Sequence, residues 1–438
     1  MRTKSDCWIF DPKKECMSFD ERHALQSERL RATVERVYQN VPLYRARMDA
    51  KGLKPGDINS TEDLRHLPFT EKTDLRDQFP FGLLAVPQKE IVRIHGSSGT
   101  TGKPIVSGYT ANDVEIWTEM VARALAGLGT HEGDVVQVGY GYGLFTGGLG
   151  AHQGASRLGA MVIPMSSGNT QRQIMMMQDL GSTVLCCTPS YATYLAETVH
   201  EMGLQGQIKL RAGCFGAEPW SEEMRDRIEE LLDIYAYDIY GLTEICGPGV
   251  SFDCQMQNGM HVCDDHVIPE IIDPATGEPL PYGTRGELVF TTITKEGQPM
   301  LRYRTHDLCT ISAEPCACGR TSVRMSRLTG RTDDMLVIRG VNVFPSQIES
   351  VLVGIQGVAP HYVLVVDRVN STDMLEVQVE LTEDMFSDTV SHIETLKNLI
   401  TNQIKSVVGV QTKVRLVPPR SIPRSEGKAK RVIDNRKI

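Results

Sequence analysis

The sequence predicts an α/β protein with a large N-terminal domain of parallel or mixed sheets, helices on both faces, and a small α+β C-terminal domain. From Ile91 onward, runs rich in β-branched residues alternate with longer segments of helical periodicity, which is typical of covered parallel sheets. From about Met335 the order becomes strand, helix, strand, strand, helix, strand. A charged stretch after Gly330 marks the sharpest boundary, so we expect domains at residues 1–332 and 333–438.

The individual elements follow from apolar periodicity and from helix-capping signals. A helical pattern runs from about Ser18 to Arg47, and a segment punctuated by proline and aspartate follows it. Further helices are predicted at 110–128, 170–180, 190–201 and 221–233, and strands at 135–138, 161–164, 183–187 and 208–214. In the C-terminal domain, Ser346 and Glu349 have the spacing of a capping box just after Pro345.

Composition excludes several classes of protein. The chain has 438 residues, and its 55 acidic against 46 basic side chains argue against a protein that coats nucleic acid or a membrane surface. We expect no transmembrane helix and no secretory signal, because apolar runs of the necessary length are missing. The 11 irregularly spaced cysteines indicate reduced thiols and a cytoplasmic location, with metal binding open for a subset.

A segment rich in hydroxyls and glycine, residues 95–104, follows the apolar run 91–94. Glycines let backbone N–H groups converge on an anion, and hydroxyls and a lysine add donors to phosphate oxygens. The alternative is a flexible surface loop. We predict a polyphosphate-binding loop formed by Ser97, Ser98, Gly99, Thr100, Thr101, Gly102 and Lys103.

This loop matches neither of the two common nucleotide motifs. Five residues separate Gly96 from Gly102, and Pro104 follows Lys103, whereas a P-loop has four residues and continues into a helix. The dinucleotide fingerprint Gly-x-Gly-x-x-Gly also fails. If it begins at Gly139, its third glycine position is occupied by Leu144. A P-loop NTPase and a dinucleotide oxidoreductase are therefore not supported.

Two thiols in Pro315–Arg320 and two side chains near an Asn-Gly turn suggest a metal site. The turn at Asn258-Gly259 predicts a hairpin that brings Cys254 and His261 face to face. Together with Cys316 and Cys318 they form a Cys3His set suited to structural, tetrahedral zinc. Ordinary reduced cysteines are the alternative, with Cys263 and Cys309 as substitute ligands.

The serine–threonine–glycine loop that ends in Gly-Lys-Pro resembles the signature of the adenylate-forming superfamily of acyl-CoA synthetases, adenylation domains and luciferases. Four further segments resemble its motifs in the same order, namely Tyr240–Glu244, Tyr303–Asp307, Gly330–Asp334 and Ser425–Lys428. Three stretches resemble the phenylacetate–CoA ligase branch in particular, at residues 67–72, 144–150 and 339–346.

The resemblance implies ATP-dependent ligation of an aryl acid to coenzyme A through an acyl-adenylate, with release of AMP and diphosphate. It implies that Thr243 contacts the α-phosphate and that Glu244 holds Mg²⁺. It assigns the nucleotide pocket to Ala217, Glu218, Pro219, Asp238, Tyr240, Gly241, Asp307 and Arg331. Asp307 is expected to accept hydrogen bonds from the ribose hydroxyls.

The resemblance also implies a mobile C-terminal domain. Lys428 matches the catalytic lysine that stabilises developing charge during adenylation, although it lies in a basic tail of a kind that is usually only solvated. Lys430 is the alternative. Asp333 matches the hinge about which the C-terminal domain rotates between the two half-reactions.

The acyl pocket follows from the resemblance alone. Tyr140, Tyr142, Phe145 and Gly147 match the segment that shapes it, and aromatics with glycines suit a flat ring. Core packing beside a loop is the alternative for these residues. Phenylacetate is the first choice of acid, with other arylacetates such as indoleacetate as rivals.

Two further functions remain open from the sequence: loading an aryl acid onto a carrier-protein thiol, and a non-catalytic nucleotide-binding regulator. The co-occurrence of Glu244, Asp307 and Lys428 argues against the regulator. The expected partners are the acid, ATP and CoA, with a homodimer as a candidate assembly and no nucleic acid or membrane.

Overall fold

The computed structural model describes residues 7–97, 105–332, 336–339, 341–369, 372–386, 390–424 and 429–436. The predicted loop residues Ser98, Gly99, Thr100, Thr101, Gly102 and Lys103, the predicted hinge Asp333 and the predicted catalytic Lys428 lie outside these ranges. The chain forms two compact units. The first unit is Met1–Cys187, Gly206–Ala217 and Ile234–Arg327, and the second is Thr188–Gln205, Glu218–Asp233 and Leu328–Ile438.

The helices and strands are numbered in chain order. The α-helices are α1 Pro12–Glu15, α2 Phe19–Asn40, α3 Pro42–Ala50, α4 Lys72–Asp77, α5 Ala111–Gly127, α6 Gly147–Arg157, α7 Thr170–Leu180, α8 Pro189–Glu201, α9 Glu222–Leu232, α10 Pro345–Val353, α11 Glu383–Phe386 and α12 Val390–Val408. The strands are β1 Arg93–Ser97, β2 Ile105–Tyr109, β3 Val135–Val138, β4 Met161–Ile163, β5 Val184–Cys187, β6 Ala212–Gly216, β7 Tyr235–Leu242, β8 Gly247–Phe252, β9 Met260–Val262, β10 Val267–Ile272, β11 Gly286–Thr292, β12 Tyr303–Cys309, β13 Ile311–Ser312, β14 Arg324–Met325, β15 Gly330–Arg331, β16 Leu336–Ile338, β17 Val341–Val343, β18 Val358–Val369, β19 Thr372–Leu381, β20 Lys413–Val417 and β21 Val432–Asp434.

The first unit is built on a mixed sheet with the strand order β13-β14-β9-β8-β7-β6-β5-β3-β4. Its half from β4 to β7 is parallel, as the alternation of strands and helices predicted, and from β7 onward the pairing is antiparallel. Strand β7 is therefore the point at which the sheet changes direction. Ligands of α/β sheets bind beyond the carboxyl ends of the parallel strands, where β7 ends at Leu242.

The first unit also contains two smaller sets of antiparallel strands. Strands β1 and β2 form a hairpin whose last pair is Ser97 with Ile105, so the predicted phosphate loop connects its two strands. Strands β10, β11 and β12 form a separate sheet. Thr70 is tied to the start of β12, since its N–H donates to the Arg302 carbonyl at 3.1 Å and its carbonyl accepts from Arg304 at 3.0 Å.

The second unit contains a sheet with the order β20-β19-β18-β21 and a short hairpin of β16 and β17. The alternating apolar residues of β18 and β19 and the apolar face of α12 bury a common core that includes Leu364, Val377 and Ile400. The predicted order of strand, helix, strand, strand, helix and strand appears as β16, α10, β18, β19, α12 and β20, and the structure adds β17, α11 and β21.

Two local predictions have different outcomes. The helical pattern from Ser18 to Arg47 is confirmed as two consecutive helices, with a break at Val41 because Pro42, which lacks an N–H, begins α3. The predicted capping box at α10 does not form. Instead, Ser346 Oγ donates to the Thr329 carbonyl at 3.0 Å, and Glu349 accepts from the Tyr362 hydroxyl at 2.8 Å.

The described part of the chain contains no helix with both the length and the apolar composition that a membrane span requires.

Candidate active site

The turn after β7 carries Thr243 and Glu244, both of which are buried. The Tyr303 hydroxyl donates to Glu244 Oε1 at 3.3 Å. Among the described residues, no basic side chain lies within ion-pair distance of this carboxylate. Because this buried carboxylate forms no ion pair with a described side chain, Glu244 could bind a cation and fits the predicted role of a Mg²⁺ ligand.

Gly241 makes this turn possible by allowing two strands to approach closely. A Cβ at Gly241 would lie 1.8 Å from the carbonyl oxygen of Gly247 in β8. The register of β7 and β8 also shifts between Tyr240 and Gly241. Only glycine fits here, and the resulting bend directs Thr243 and Glu244 past the end of the sheet.

Tyr240 and Asp307, which were predicted separately as nucleotide-binding residues, lie in direct contact. The Tyr240 hydroxyl donates to Asp307 Oδ2 at 2.6 Å, and the Asp307 N–H donates to Thr305 Oγ1 at 3.0 Å. Asp307 is almost fully buried in β12. This contact joins β7 and β12, two strands of different sheets in the first unit.

The predicted acyl-pocket residues lie between β3 and α6. Tyr140 is buried, and its hydroxyl donates to the Cys214 carbonyl at 3.3 Å. Its ring lies against Gly147, where an added Cβ would be 3.2 Å from Tyr140 Cγ. Tyr142 hydrogen-bonds to His152 Nδ1 at 3.2 Å, whereas Phe145 is about half exposed, 49%. The structure thus brings Tyr140 and Gly147 into contact and leaves Phe145 on an exposed loop.

Ser97, the last residue of β1 and the first of the predicted phosphate loop, has a buried hydroxyl. Among the described residues, no hydrogen-bond partner is found for Ser97 Oγ, which is buried. The preceding His95 hydrogen-bonds through Nδ1 to the Leu144 carbonyl at 3.1 Å, and desolvation lowers its pKa. A neutral His95 therefore fixes the end of β1 against the acyl-pocket loop.

The first of the predicted nucleotide-pocket residues, Ala217, follows directly after β6. Ala217 adopts a left-handed conformation with φ of 74°, which is strained for a residue with a Cβ and typical of functional turns. Asp238 lies in β7, and its N–H donates to Asp253 Oδ2 at 2.9 Å.

The remaining predicted nucleotide residues, Glu218, Pro219 and Arg331, belong to the second unit. There, the Glu218 carboxylate accepts hydrogen bonds from the N–H of Ser190 at 2.8 Å and of Ala429 at 2.9 Å. Arg331 is half-buried in the two-residue strand β15.

The predicted Cys3His set is assembled in the first unit. The ligand atoms of Cys254, His261, Cys316 and Cys318 all lie within 4.8 Å of one another. The substitute Cys263 is not part of the group, since its thiol donates to the Gly249 carbonyl at 3.3 Å, and neither is Cys309. The predicted hairpin exists as β8 and β9, but its loop is longer than the Asn-Gly turn and contains Cys254 itself.

The geometry of this Cys/His cluster fits a tetrahedral metal ion. Zn–S bonds of about 2.3 Å place two sulfurs about 3.8 Å apart in a tetrahedron, and the Cys254 and Cys316 sulfurs are 3.8 Å apart. His261 Nε2 lies 3.3 Å from the Cys318 sulfur, and its Nδ1 is held by Ser322 Oγ at 3.0 Å. An outer hydrogen bond of this kind orients a metal-binding imidazole.

Contacts within the cluster favour the thiolate at two of its three cysteines, whereas the hydrogen bond with Cys318 raises the pKa of Cys254. The hydrogen bond with His261 lowers the pKa of the Cys316 thiol, and the hydrogen bond with Cys254 lowers that of Cys318. Four protein ligands leave no open coordination position, so the described geometry is that of a structural site.

Sequence reasoning missed Tyr303, Tyr109 and Lys295, which support Thr243 and Glu244 from distant elements. Tyr303 falls inside a recognised motif, so its proximity to Glu244 could have been anticipated. Tyr109 and Lys295 carry no comparable signal, because nothing in their local sequence indicates which strand end they reach.

Comparison with known proteins places the chain in a family. The model of AMP-binding enzymes matches residues 22–294, and that of the AMP-binding enzyme C-terminal domain matches residues 340–436. The chain therefore belongs to the AMP-binding enzyme family.

Particular relatives cover almost the whole chain. The phenylacetate-coenzyme A ligase of Thermus thermophilus is 49% identical over 98% of this chain and 100% of its own length. That of Escherichia coli is 49% identical over 97% of both chains. Among solved structures, 2-hydroxyisobutyryl-CoA ligase in the postadenylation state in complex with R3-HIB-AMP has a TM-score of 0.92 at 32% identity, with 98% of this chain and 92% of that chain covered.

Proposed function

We propose that this protein is an AMP-forming ligase that joins phenylacetate to coenzyme A through an acyl-adenylate. The observation that carries the proposal is that two side-chain contacts, Tyr240 with Asp307 and Tyr303 with Glu244, join β12 to β7 and the turn after it. Full-length relatives named phenylacetate-coenzyme A ligases support the same chemistry.

A carboxylate does not react with a thiol until its oxygen has become part of a good leaving group. In the first step the acid attacks the α-phosphorus of ATP, the bond to diphosphate breaks, and acyl-AMP forms. In the second step the CoA sulfur attacks the acyl carbon and AMP leaves. The protein contributes mainly orientation and the stabilisation of negative charge.

The residues of the first unit take distinct roles in this proposal. Thr243 donates to the α-phosphate, and Asp307, held by Tyr240, accepts from the ribose hydroxyls. Ser97 and its loop bind the β- and γ-phosphates, consistent with its buried hydroxyl. Glu244 holds Mg²⁺, which when bound neutralises phosphate charge.

The acid lies beside Tyr140 and Gly147, where a tyrosine face packs directly against a glycine. The absence of a side chain at Gly147 lets the Tyr140 ring pack against the start of α6, and this ring supplies an aromatic wall for the acid. The half-exposed Phe145 would complete this slot on substrate binding. Arylacetates with larger rings are the closest competing substrates, since an apolar slot rejects a neighbouring size only weakly.

In the second unit, Lys428 supplies the positive charge that stabilises the adenylation transition state, and Asp333 is the hinge. The assignment of Lys428 follows from its match to the family's C-terminal Gly-Lys motif. Outside the active site, the Cys/His cluster holds zinc, which cross-links the β8–β9 loop to the segment after β13.

Diphosphate release with a panel of acids tests the proposal. The panel comprises phenylacetate, indoleacetate, benzoate and acetate, each with ATP and Mg²⁺, and each with CoA, with a phosphopantetheinylated carrier protein, or without a thiol. We expect phenylacetate with CoA to give the highest kcat/KM and stoichiometric AMP. Faster turnover with the carrier protein would favour the carrier-loading alternative, and no diphosphate release with any acid would overturn the adenylation chemistry.

A further inference from the structure

Lys295 is a buried lysine with no assigned role, and it lies three residues beyond the end of β11. Only 4% of it is exposed. Its Nζ donates to Ser107 Oγ at 2.8 Å and to the main-chain carbonyl of Glu244 at 2.9 Å. The same Nζ lies 4.5 Å from the centre of the Tyr109 ring. Two hydrogen bonds and one aromatic face thus account for the three N–H groups of the ammonium.

Tyr109 extends this arrangement to the residue before Glu244. Its hydroxyl donates to the Thr243 carbonyl at 2.7 Å, while its ring faces Lys295. The carbonyls of two consecutive residues, Thr243 and Glu244, are therefore held by one stacked pair. This fixes the backbone of the turn without using the side chains that the reaction needs.

The segment that carries Lys295 also fastens the strand after the predicted phosphate loop. Gln298 Oε1 accepts from the Gly108 N–H at 3.1 Å, and Gln298 Nε2 donates to the Val106 carbonyl at 3.2 Å. With the bond from Lys295 to Ser107, three consecutive residues of β2 are tied to residues 295–298. Lys295 is the member of this segment that reaches both β2 and the Glu244 turn.

A cation at this position is informative because it binds the carbonyl of Glu244 and not the carboxylate. A lysine paired with the carboxylate would compete with Mg²⁺, whereas one bound to the carbonyl leaves both carboxylate oxygens for the metal and for Tyr303. Burial lowers the pKa of Lys295, so the protein bears a real desolvation cost to keep the group there.

We propose that Lys295 is a positioning residue that sets the Thr243–Glu244 turn relative to the base of the phosphate loop. Through Ser107 and the Glu244 carbonyl it fixes the turn relative to β2, the strand that follows the loop. This inference rests on the proposed roles of Glu244 and of the loop.

Lys295→Met tests the inference, with Lys295→Arg as the conservative variant and Gln298→Met as the matched control. Gln298→Met loosens β2 from the same segment but leaves both bonds of Lys295 intact. The first measurement is hydrogen–deuterium exchange in the nucleotide-free protein, which needs no substrate. The amides of Ile245 and Cys246, which both bond to the Leu242 carbonyl, report on the turn.

We expect Lys295→Met to speed exchange at these amides about tenfold or more, the scale of a lost charge-assisted hydrogen bond. Gln298→Met should affect the β2 amides alone, and Lys295→Arg should restore part of the protection. Unchanged exchange at Ile245 and Cys246 in Lys295→Met, or equal effects in Gln298→Met, would overturn the inference.

The second measurement is the Mg²⁺ concentration that gives half-maximal diphosphate release. It should rise several-fold in Lys295→Met and stay at the wild-type value in Gln298→Met. A fall in kcat with no change in Mg²⁺ dependence would indicate a general loss of stability and contradict the positioning role. The wild-type protein is measured in the same assay. If it releases no diphosphate, the proposed function fails, while the exchange experiment still tests the positioning role of Lys295.

Discussion

At the residue scale, Lys428 distinguishes the two half-reactions. In the proposed mechanism its charge acts on the phosphate during adenylation and has no part in the attack of CoA on acyl-AMP. We expect Lys428→Ala to slow acyl-adenylate formation by about two to three orders of magnitude, the scale of one lost charge-stabilising donor. Thioester formation from supplied acyl-AMP should be largely unaffected, as measured by CoA-ester release.

Lys430→Ala is the control for that variant. Lys430 is in the same basic segment and lines a cavity of the second unit with Arg431. It should retain adenylation close to wild type. If Lys430→Ala loses adenylation and Lys428→Ala keeps it, Lys430 is the catalytic lysine. If Lys428→Ala slows both half-reactions equally, the assignment of Lys428 to adenylation is refuted.

Residue-scale chemistry was also where sequence reasoning reached furthest. The four Cys3His residues come together as predicted, while the roles of Glu244 and Asp307 stay predictions. What no motif contained was their support: the Tyr240–Asp307 bond joins residues 67 apart, and Lys295 reaches Ser107 across 188 residues. Such contacts depend on strand order, which local spacing does not encode.

At the element scale, the close approach of β7 and β8 at Gly241 gives a stability prediction. A methyl group there would lie 1.8 Å from the Gly247 carbonyl, so Gly241→Ala must separate the strands. We expect the free energy of unfolding to fall by roughly 3 kcal/mol or more, the upper range for overpacking, with loss of ATP binding. Urea unfolding measures the first effect and isothermal titration calorimetry the second.

Gly56→Ala is the matched control for Gly241→Ala. No atom lies within 4 Å of a Cβ at Gly56, and the residue is exposed. Its unfolding midpoint should stay near wild type. A wild-type midpoint for Gly241→Ala would show that the strands do not meet as described.

The Cys/His cluster gives a second element-scale prediction, since it ties together segments that are separated in sequence. We expect about one zinc ion per chain by elemental analysis, because the site has four protein ligands. Cys318→Ala should lose the metal and lower the melting temperature, and Cys309→Ala, outside the cluster, should keep the metal. Protein purified in zinc-containing buffer yet free of zinc would exclude the site.

The element scale also shows how tertiary context overrides a local signal. Ser346 and Glu349 have correct capping-box spacing, yet each is used elsewhere, Ser346 by Thr329 and Glu349 by Tyr362. At α2 the capping box does form: the Ser18 N–H donates to Glu21 Oε2 at 2.9 Å, and the Glu21 N–H donates to Ser18 Oγ at 3.3 Å. Glu349 is buried, which raises its pKa, and this position could not have been foreseen from spacing.

At the scale of the whole molecule, Asp333 is expected to act as a hinge between half-reactions. Proline fixes φ near −65°, so Asp333→Pro should restrict the backbone rotation that a hinge residue undergoes. We expect acyl-adenylate formation to survive and CoA-ester formation to fall at least about tenfold, as measured by the ratio of the two half-reactions. Normal CoA-ester turnover would remove the hinge assignment.

Asp333→Ala is the matched control, because it separates loss of the carboxylate from the effect of proline on the backbone. Asp333→Ala keeps backbone freedom while removing the same carboxylate. It should support both half-reactions. If Asp333→Ala and Asp333→Pro lose thioester formation equally, the carboxylate and not the rotation is what matters.

The sequence by itself determined the class of reaction, the order of the motifs and the first choice of residues for the Cys/His cluster, with Cys263 and Cys309 left as alternatives. These depend on residue type and short spacing, which covalent connection fixes. Only the tertiary structure decided that Tyr240 holds Asp307, that Lys295 and Tyr109 hold the Glu244 turn, and that Gly241 lets two strands meet. Those relations arise from the pairing and packing of elements far apart in the chain, where the free energy of the whole sheet and not any local pattern selects the neighbours.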